Sequence, residues 1–356
     1  MIQETHPWNG QTHLLETISK KIISWYKKHQ RSLPWRSYTS SPDRDYKVLL
    51  SEFMLQQTKV STVVPYFNKF YKKFRTIKAL SKSRITSVLK LWEGLGYYRR
   101  ARNLHQTAKL VLQKHNGKLP DSFSDLKNLP GIGDYTASAI LSIAKDQSFI
   151  GIDGNVKRVI SRVFNLKHNK KLLLSIEKKL NSMKVKKGSS ELMQGIMELG
   201  ALLCLPTRPG CTKCPIKSHC ISFKKNTFKD RAKKKSYQIK YFNAFFITKN
   251  NKILFSFNKK FNFLQGLVNL PLVEVATNKH NATINKVFKK GLISSSSAPL
   301  VKYKMSNFLM HIKVISLSNV IFNKTKYFWL GQKDIKKFTI STLAKKLLQV
   351  SSNYEK

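Results

Sequence analysis

Four cysteines, Cys204, Cys211, Cys214 and Cys220, fall within seventeen consecutive residues, and the rest of the 356-residue chain has none. Four unrelated buried thiols would explain so tight a cluster poorly; a compact loop turning four sulfurs toward one centre explains it well. A disulfide framework needs an oxidising compartment, and no apolar, cleavable N-terminal segment points to export, so reduced thiols in a cytoplasm are expected. The spacing C-x6-C-x2-C-x5-C suits tetrahedral zinc or a four-iron cluster, whose thiolate geometries are nearly alike. His219 lies inside the stretch, but four thiolates already complete a structural site.

The charge narrows the partner. Lys and Arg number 66 against 18 Asp and Glu, a formal net charge of +48, which favours a polyanion such as DNA or RNA. A composition rich in Lys, Asn and Ile also follows from coding bias, so part of this charge is solvated surface. There is no run of 18 apolar residues, so no membrane span is expected, and a membrane surface is the weaker partner for the charge.

The texture changes after the cysteines. Residues 1–223 read as helix, with periodic segments at Leu14–His29 and Lys47–Lys59 and punctuation at Pro34, Pro42, Pro65, Gly117, Pro120 and Pro130. A basic linker, 224–236, follows. Residues 237–348 break into short apolar runs (Tyr241–Thr248, Lys252–Phe257, Met310–Leu317, Lys326–Leu330), as strands of an α+β domain do, and 349–356 form a tail.

Three segments of the helical half carry chemistry. In Leu129-Pro130-Gly131-Ile132-Gly133-Asp134-Tyr135, the turn entering a helix offers backbone N–H groups to a DNA phosphate, or is an ordinary glycine turn. In Asp153-Gly154-Asn155-Val156-Lys157-Arg158, Asp153 stands at a helix N-terminus. It is either a simple N-cap or a carboxylate kept ionised there to stabilise a developing cation. In Ser51-Glu52-Phe53-Met54-Leu55-Gln56-Gln57-Thr58, Glu52 shares a helix face with Val48, Leu49 and Leu55. There it either holds a proton near neutral pH or reaches out to a lysine. One proton-bearing and one ionised carboxylate divide the work of glycosidic cleavage through an oxocarbenium-like state.

Those three segments, with Trp92-Glu93-Gly94-Leu95-Gly96-Tyr97-Tyr98 and the cysteine spacing, closely resemble the adenine DNA glycosylases of the MutY type. That family belongs to the helix-hairpin-helix superfamily shared with endonuclease III. The resemblance implies a mostly α helix-hairpin-helix glycosylase region, 1–223, with a 4Fe-4S cluster on the loop 204–220, followed by an α+β Nudix-like domain at 237–348 that recognises 8-oxoguanine. It implies a monomer acting on double-stranded DNA, removing adenine opposite 8-oxoguanine or guanine. Glu52 would protonate the flipped base and then activate water, Asp153 would stabilise the sugar cation and Asn155 would position both. Gly131 and Gly133 would grip phosphate and Lys157 would contact DNA. Arg31, Leu33 and Trp35 match the segment lining the adenine pocket, although Trp35 also suits plain core. Gln57, Thr58, Leu95 and Tyr97 would lie around the opposite base. Tyr135 replaces the lysine with which endonuclease III relatives form a Schiff base, so a lyase has no obvious nucleophile. Lys157 is the nearest substitute amine. In the C-terminal part Ser306 is retained from the family's Phe-Ser-His triplet, whereas Met305 and Asn307 replace the flanking residues, which implies weaker discrimination for 8-oxoguanine. An endonuclease III-like glycosylase/lyase and a non-catalytic basic DNA-binding remnant are the alternatives.

Overall fold

In the computed structural model, residues 12–166, 188–228, 236–257, 261, 264, 266–276, 288, 290–293, 299–305 and 308–352 are described. Ser306, Asn307 and most of the linker at 224–236 lie outside them. The chain forms two compact units, 1–82 with 103–233 and 83–102 with 234–356, one of the cuts, at 102/103, falling inside a helix.

The helices run α1 (Thr12–His29), α2 (Ser41–Leu55), α3 (Val60–Lys73), α4 (Ile77–Ser81), α5 (Ile85–Leu91), α6 (Arg99–His115), α7 (Phe123–Lys127), α8 (Asp134–Lys145), α9 (Gly154–Val163), α10 (Ser189–Leu202) and α11 (Ile221–Lys224). Helix α2 starts where the Ser40 hydroxyl accepts the Asp43 N–H at 3.4 Å, with Pro42 in its first turn. It buries Tyr46, Leu49, Leu50, Phe53 and Met54. The helix expected over Lys47–Lys59 instead stops at Leu55, because Gln56 leaves the helical region with ψ 108° and Gln57 then takes a left-handed backbone with φ 59°. Pro65, expected to punctuate, lies inside α3. It sits near the start of that helix, where few i−4 bonds have yet formed for it to break. Helix α10 threads the first unit against α1, α8 and α9. Two glycines permit this: a Cβ on Gly195 would stand 2.7 Å from Ile22, and one on Gly200 would stand 2.7 Å from Asn155.

The second unit adds β1 (Gln238–Phe246), β2 (Thr248–Lys249), β3 (Lys252–Phe257), β4 (Val268–Asn269), β5 (Leu272–Val275), β6 (Lys290–Ile293), β7 (Leu300–Met305), β8 (Phe308–Ile321) and β9 (Tyr327–Gly331), then α12 (Gln332–Ile335) and α13 (Thr342–Ser352). One sheet is ordered β5-β1-β8-β6 with β7 also on β8; the other is β2-β3-β4 with β9 on β3. β1 and β8 run parallel, Tyr241 opposite His311, and the rest of the pairs are antiparallel. A core of Phe245, Ile247, Leu254, Phe288, Ile315 and Leu317 lies between the sheets. The four strand-like runs of the sequence correspond to β1–β2, β3, β8 and β9. No helix among the described residues is long and apolar enough to cross a membrane.

Candidate active site

One cleft of about 950 Å³ opens in the first unit, and Arg31, Leu33, Trp35, Glu52, Gln57, Thr58, Tyr135, Asp153 and Asn155 all line it. They arrive from the segment before α2, from α2 and its end, from the first turn of α8, and from the start of α9. The sequence therefore collects at one place nine residues spread over more than a hundred positions.

Glu52 faces inward from the apolar stripe of α2 and is 4% exposed. Burial, reinforced by the nearby Asp153 charge and opposed by a hydrogen bond from Tyr135, pushes its carboxyl up from 4.5 to about 7. It does not reach out to a lysine. Asp153 is the N-cap of α9, and its Oδ1 accepts the Val156 N–H at 2.6 Å. The helix end is not the only influence on this carboxyl. Burial raises it above the usual carboxylate value, and the N–H groups of Val156 and Asn155 with the Arg158 charge only oppose that rise. Asp153 is thus an N-cap that also lines the cleft.

Tyr135 donates to Glu52 and lies 3.8 Å from Met197 Sδ; burial and the two carboxylates push its hydroxyl well above the ordinary tyrosine value. Trp35 is both core and wall: it is 7% exposed, packs edge-on against Phe67 at 5.3 Å and borders the cleft.

Two lining residues, Glu198 and Tyr38, escaped sequence reasoning. Glu198, on α10, has a side chain 1% exposed. It accepts Arg31 Nε at 2.7 Å, the Arg31 backbone N–H at 3.0 Å and Arg36 Nη2 at 3.1 Å. Burial alone would raise its carboxyl, but these two guanidiniums hold it at about 2. Tyr38 completes this side. The only advance signal was an acidic residue inside the apolar run of α10.

The hairpin is α7, the turn 128–133 and α8. Gly131 has φ 82°, and a Cβ there would come within 2.8 Å of both Asn103 and Phe53, so only glycine fits. The Pro130 carbonyl accepts Thr107 Oγ1 at 2.9 Å, and the Gly131 carbonyl accepts Gln56 Nε2 at 3.3 Å. Gly133 caps α8 with no side-chain bond of its own, leaving first-turn N–H groups without a side-chain cap. Asp134, beside them, is paired with Lys127 at 2.6 Å. Lys157 is exposed and outside the cleft lining.

Asn155 donates to Asp153 at 3.4 Å and accepts Arg158 Nη2 at 2.8 Å, and Arg158 Nε donates to the Cys204 carbonyl at 2.7 Å. All four cysteines, none of them in a disulfide, line one apolar pocket with Val159, Leu199 and Phe223. Arg162 Nη1 donates to Cys204 Sγ at 3.4 Å, and burial raises the thiols of Cys211, Cys214 and Cys220. Among the described residues no three His, Cys, Asp or Glu side chains meet tightly enough for a single ion. Four cysteine sulfurs around one pocket are a soft donor set of the kind that iron–sulfur clusters and zinc both take.

In the second unit Tyr97 has φ 49° and is 43% exposed, whereas Leu95 is 6% exposed beneath the same loop.

A hairpin offering backbone N–H groups beside a cleft with two interacting carboxylates is the arrangement of a base excision glycosylase. The family model described as HhH-GPD superfamily base excision DNA repair protein matches residues 50–183, from Glu52 through the hairpin and Asp153. The adenine DNA glycosylase of Buchnera aphidicola subsp. Schizaphis graminum is 37% identical over 327 residues, 86% of this chain and 89% of that protein. The adenine DNA glycosylase of Buchnera aphidicola subsp. Acyrthosiphon pisum is 34% identical over 318 residues, 84% and 85% of the two chains. The solved structure of a thermostable thymine-DNA glycosylase is 26% identical, covering 59% of this chain and 96% of that one at a TM-score of 0.51. The chain belongs to the adenine DNA glycosylase family.

Proposed function

We propose that this protein removes adenine mispaired with 8-oxoguanine or guanine from double-stranded DNA by hydrolysing the N-glycosidic bond, without cutting the strand. The observation that carries the reading is Glu52: a buried carboxyl with a pKa of about 7 beside Asp153, in a cleft large enough for an extruded base. Near neutral pH about half of Glu52 carries a proton. That proton passes to the departing adenine as the glycosidic bond breaks, and Asp153 stabilises the positive sugar left behind. Glu52, now ionised, takes a proton from the water that attacks the sugar. Tyr135 orients Glu52, and Asn155 orients Asp153. Arg31, Leu33 and Trp35 wall the base, with Glu198 fixing the Arg31 and Arg36 guanidiniums. Tyr135 offers no amine, and its hydroxyl is held neutral, which favours hydrolysis over Schiff-base lysis.

Gly131 and Gly133 would bind phosphate, and Lys157 another stretch of backbone. Gln57, Thr58, Leu95 and Tyr97 would face the opposite base, as would Ser306 and Asn307 in a Nudix-like region over 237–348. Cys204, Cys211, Cys214 and Cys220 would hold a 4Fe-4S cluster, which supplies a structural anchor for the loop 204–220. We place the protein in the reducing cytoplasm as a monomer. A labelled duplex with adenine opposite 8-oxoguanine tests the reading: strand breaks only after alkali support it, whereas breaks without alkali, or none at all, refute it.

A further inference from the structure

The segment 83–102 lies mid-sequence among the helices, yet it packs with the second unit. It carries an aromatic ring on a stiff loop. Gly94 and Gly96 take φ 100° and 78°, Trp92 Nε1 donates to the Gly96 carbonyl at 3.1 Å, and Arg100 Nη2 donates to the same carbonyl at 3.2 Å. The Gly94 N–H reaches Tyr98 Oη at 3.2 Å, and the Arg100 guanidinium lies 5.5 Å from the ring centres of both Trp92 and Tyr97. Held this way, the Tyr97 ring presents a flat, half-apolar face of the kind on which a base stacks.

One carboxylate fastens this loop. Glu93 has a side chain only 12% exposed; its Oε1 stands 2.6 Å from Lys345 Nζ on α13, and its Oε2 stands 2.8 Å from Lys90 Nζ on α5. Lys90 also donates to the Phe338 carbonyl at 2.9 Å. Helix α13 in turn packs on β1 and β4. Each oxygen of Glu93 therefore takes one lysine, and the two lysines lead to α13 and to the chain just before it.

We propose that Glu93 is a positioning residue for reading the base opposite adenine: through Lys345 it clasps the Tyr97 loop to α13, so that the loop and the β-rich part read that base as one body. This rests on the adenine glycosylase reading given above. Glu93 touches no substrate; it acts by holding the loop that does. Without the clasp, the ring would still reach DNA but with a less defined approach, and the difference between opposite bases would shrink.

The test uses the full-length protein and the variants Glu93→Gln and Lys345→Met, the second at a 54% exposed side chain, where substitutions usually change stability little. Amide hydrogen exchange is followed over 93–98, with α8 as an internal control. Single-turnover excision is compared for adenine opposite 8-oxoguanine and opposite guanine at fixed salt. Faster exchange confined to 93–98 is expected. The preference should narrow about two- to fivefold, the range that partly exposed ion pairs reach, and the double variant should be no worse than Glu93→Gln alone. Unchanged exchange and an unchanged ratio in Lys345→Met would overturn the clasp, as would effects that multiply in the double variant. A wild-type protein that leaves adenine in place would instead refute the proposed function, with the exchange comparison still deciding the clasp.

Discussion

Replacing Glu52 by Gln should abolish excision and, at alkaline pH, stabilise the fold. Glu52 titrates near 7 rather than 4.5. Between those values the folded protein keeps a proton that the unfolded chain has released. Its contribution to stability is therefore full below about pH 4.5 and is lost as pH rises through 7. A shift of this size corresponds to at most roughly 3 kcal/mol. Above pH 7 the buried carboxylate opposes folding by up to that amount, and Gln, which never ionises, relieves it. Urea unfolding at pH 4.5 and pH 8.5 reads the effect directly: near equality of variant and wild type at the lower pH, and a higher midpoint for Glu52→Gln at the upper. Single-turnover excision should fall to background at both. Wild-type excision should decline on the alkaline side of about pH 7, as the proton-bearing fraction disappears. An unchanged excision rate would show that Glu52 donates no proton. A variant equally destabilised at both pH values would show that its carboxyl is not held neutral.

Asp153→Asn keeps a good cap, since Asn and Asp cap alike, so stability should change by less than about 0.5 kcal/mol. Excision should nevertheless fall on the order of 100-fold or more, measured at single turnover, because the charge facing the sugar cation is gone. Gly131→Ala puts a Cβ within 2.8 Å of Asn103 and Phe53 at φ 82°; thermal unfolding should show a loss of about 1–3 kcal/mol, with weaker DNA binding in a gel shift. Protein purified without oxygen should be brown and hold about four irons per chain, and Cys214→Ser should lose most of that iron by elemental analysis.

The placement of Glu52 and Asp153 was legible because each carboxylate sits at a position that local periodicity defines: Glu52 between Val48, Leu49 and Leu55 on a helix face, Asp153 just ahead of the buried Val156, Val159 and Ile160. Neighbours in sequence decide such positions. The left-handed Gln57 that ends α2 was not legible, since nothing local demands it and the turn is held partly by Gln56 reaching Gly131. Glu198 was hidden for the same reason: its partners Arg31 and Arg36 stand more than 160 residues away, and only the packing of α10 unites them. The segment 83–102 reads as one more helical stretch. Its attachment through Glu93 and Lys345 to α13 has no local signature at all.

Burial by itself does not assign chemistry in this cleft; the donors around each carboxyl do. Glu52, Asp153 and Glu198 all lose water, and desolvation is the largest influence on each. Glu52 has one neutral donor, the Tyr135 hydroxyl, and a neighbouring negative charge, so its proton stays until about pH 7. Asp153 has backbone N–H groups and the more distant Arg158 charge, enough to limit the rise but not to reverse it. Glu198 has two guanidiniums in direct contact and titrates at about 2, so it never holds a proton near neutral pH. In a chain with only 18 acidic residues against 66 basic ones, keeping cations away from Glu52 is therefore as necessary as burying it. A single lysine ammonium or guanidinium within about 4–6 Å would pull it down by one to three pK units. That would return Glu52 to the ionised state and, in the proposed mechanism, end proton transfer without moving any atom of the site.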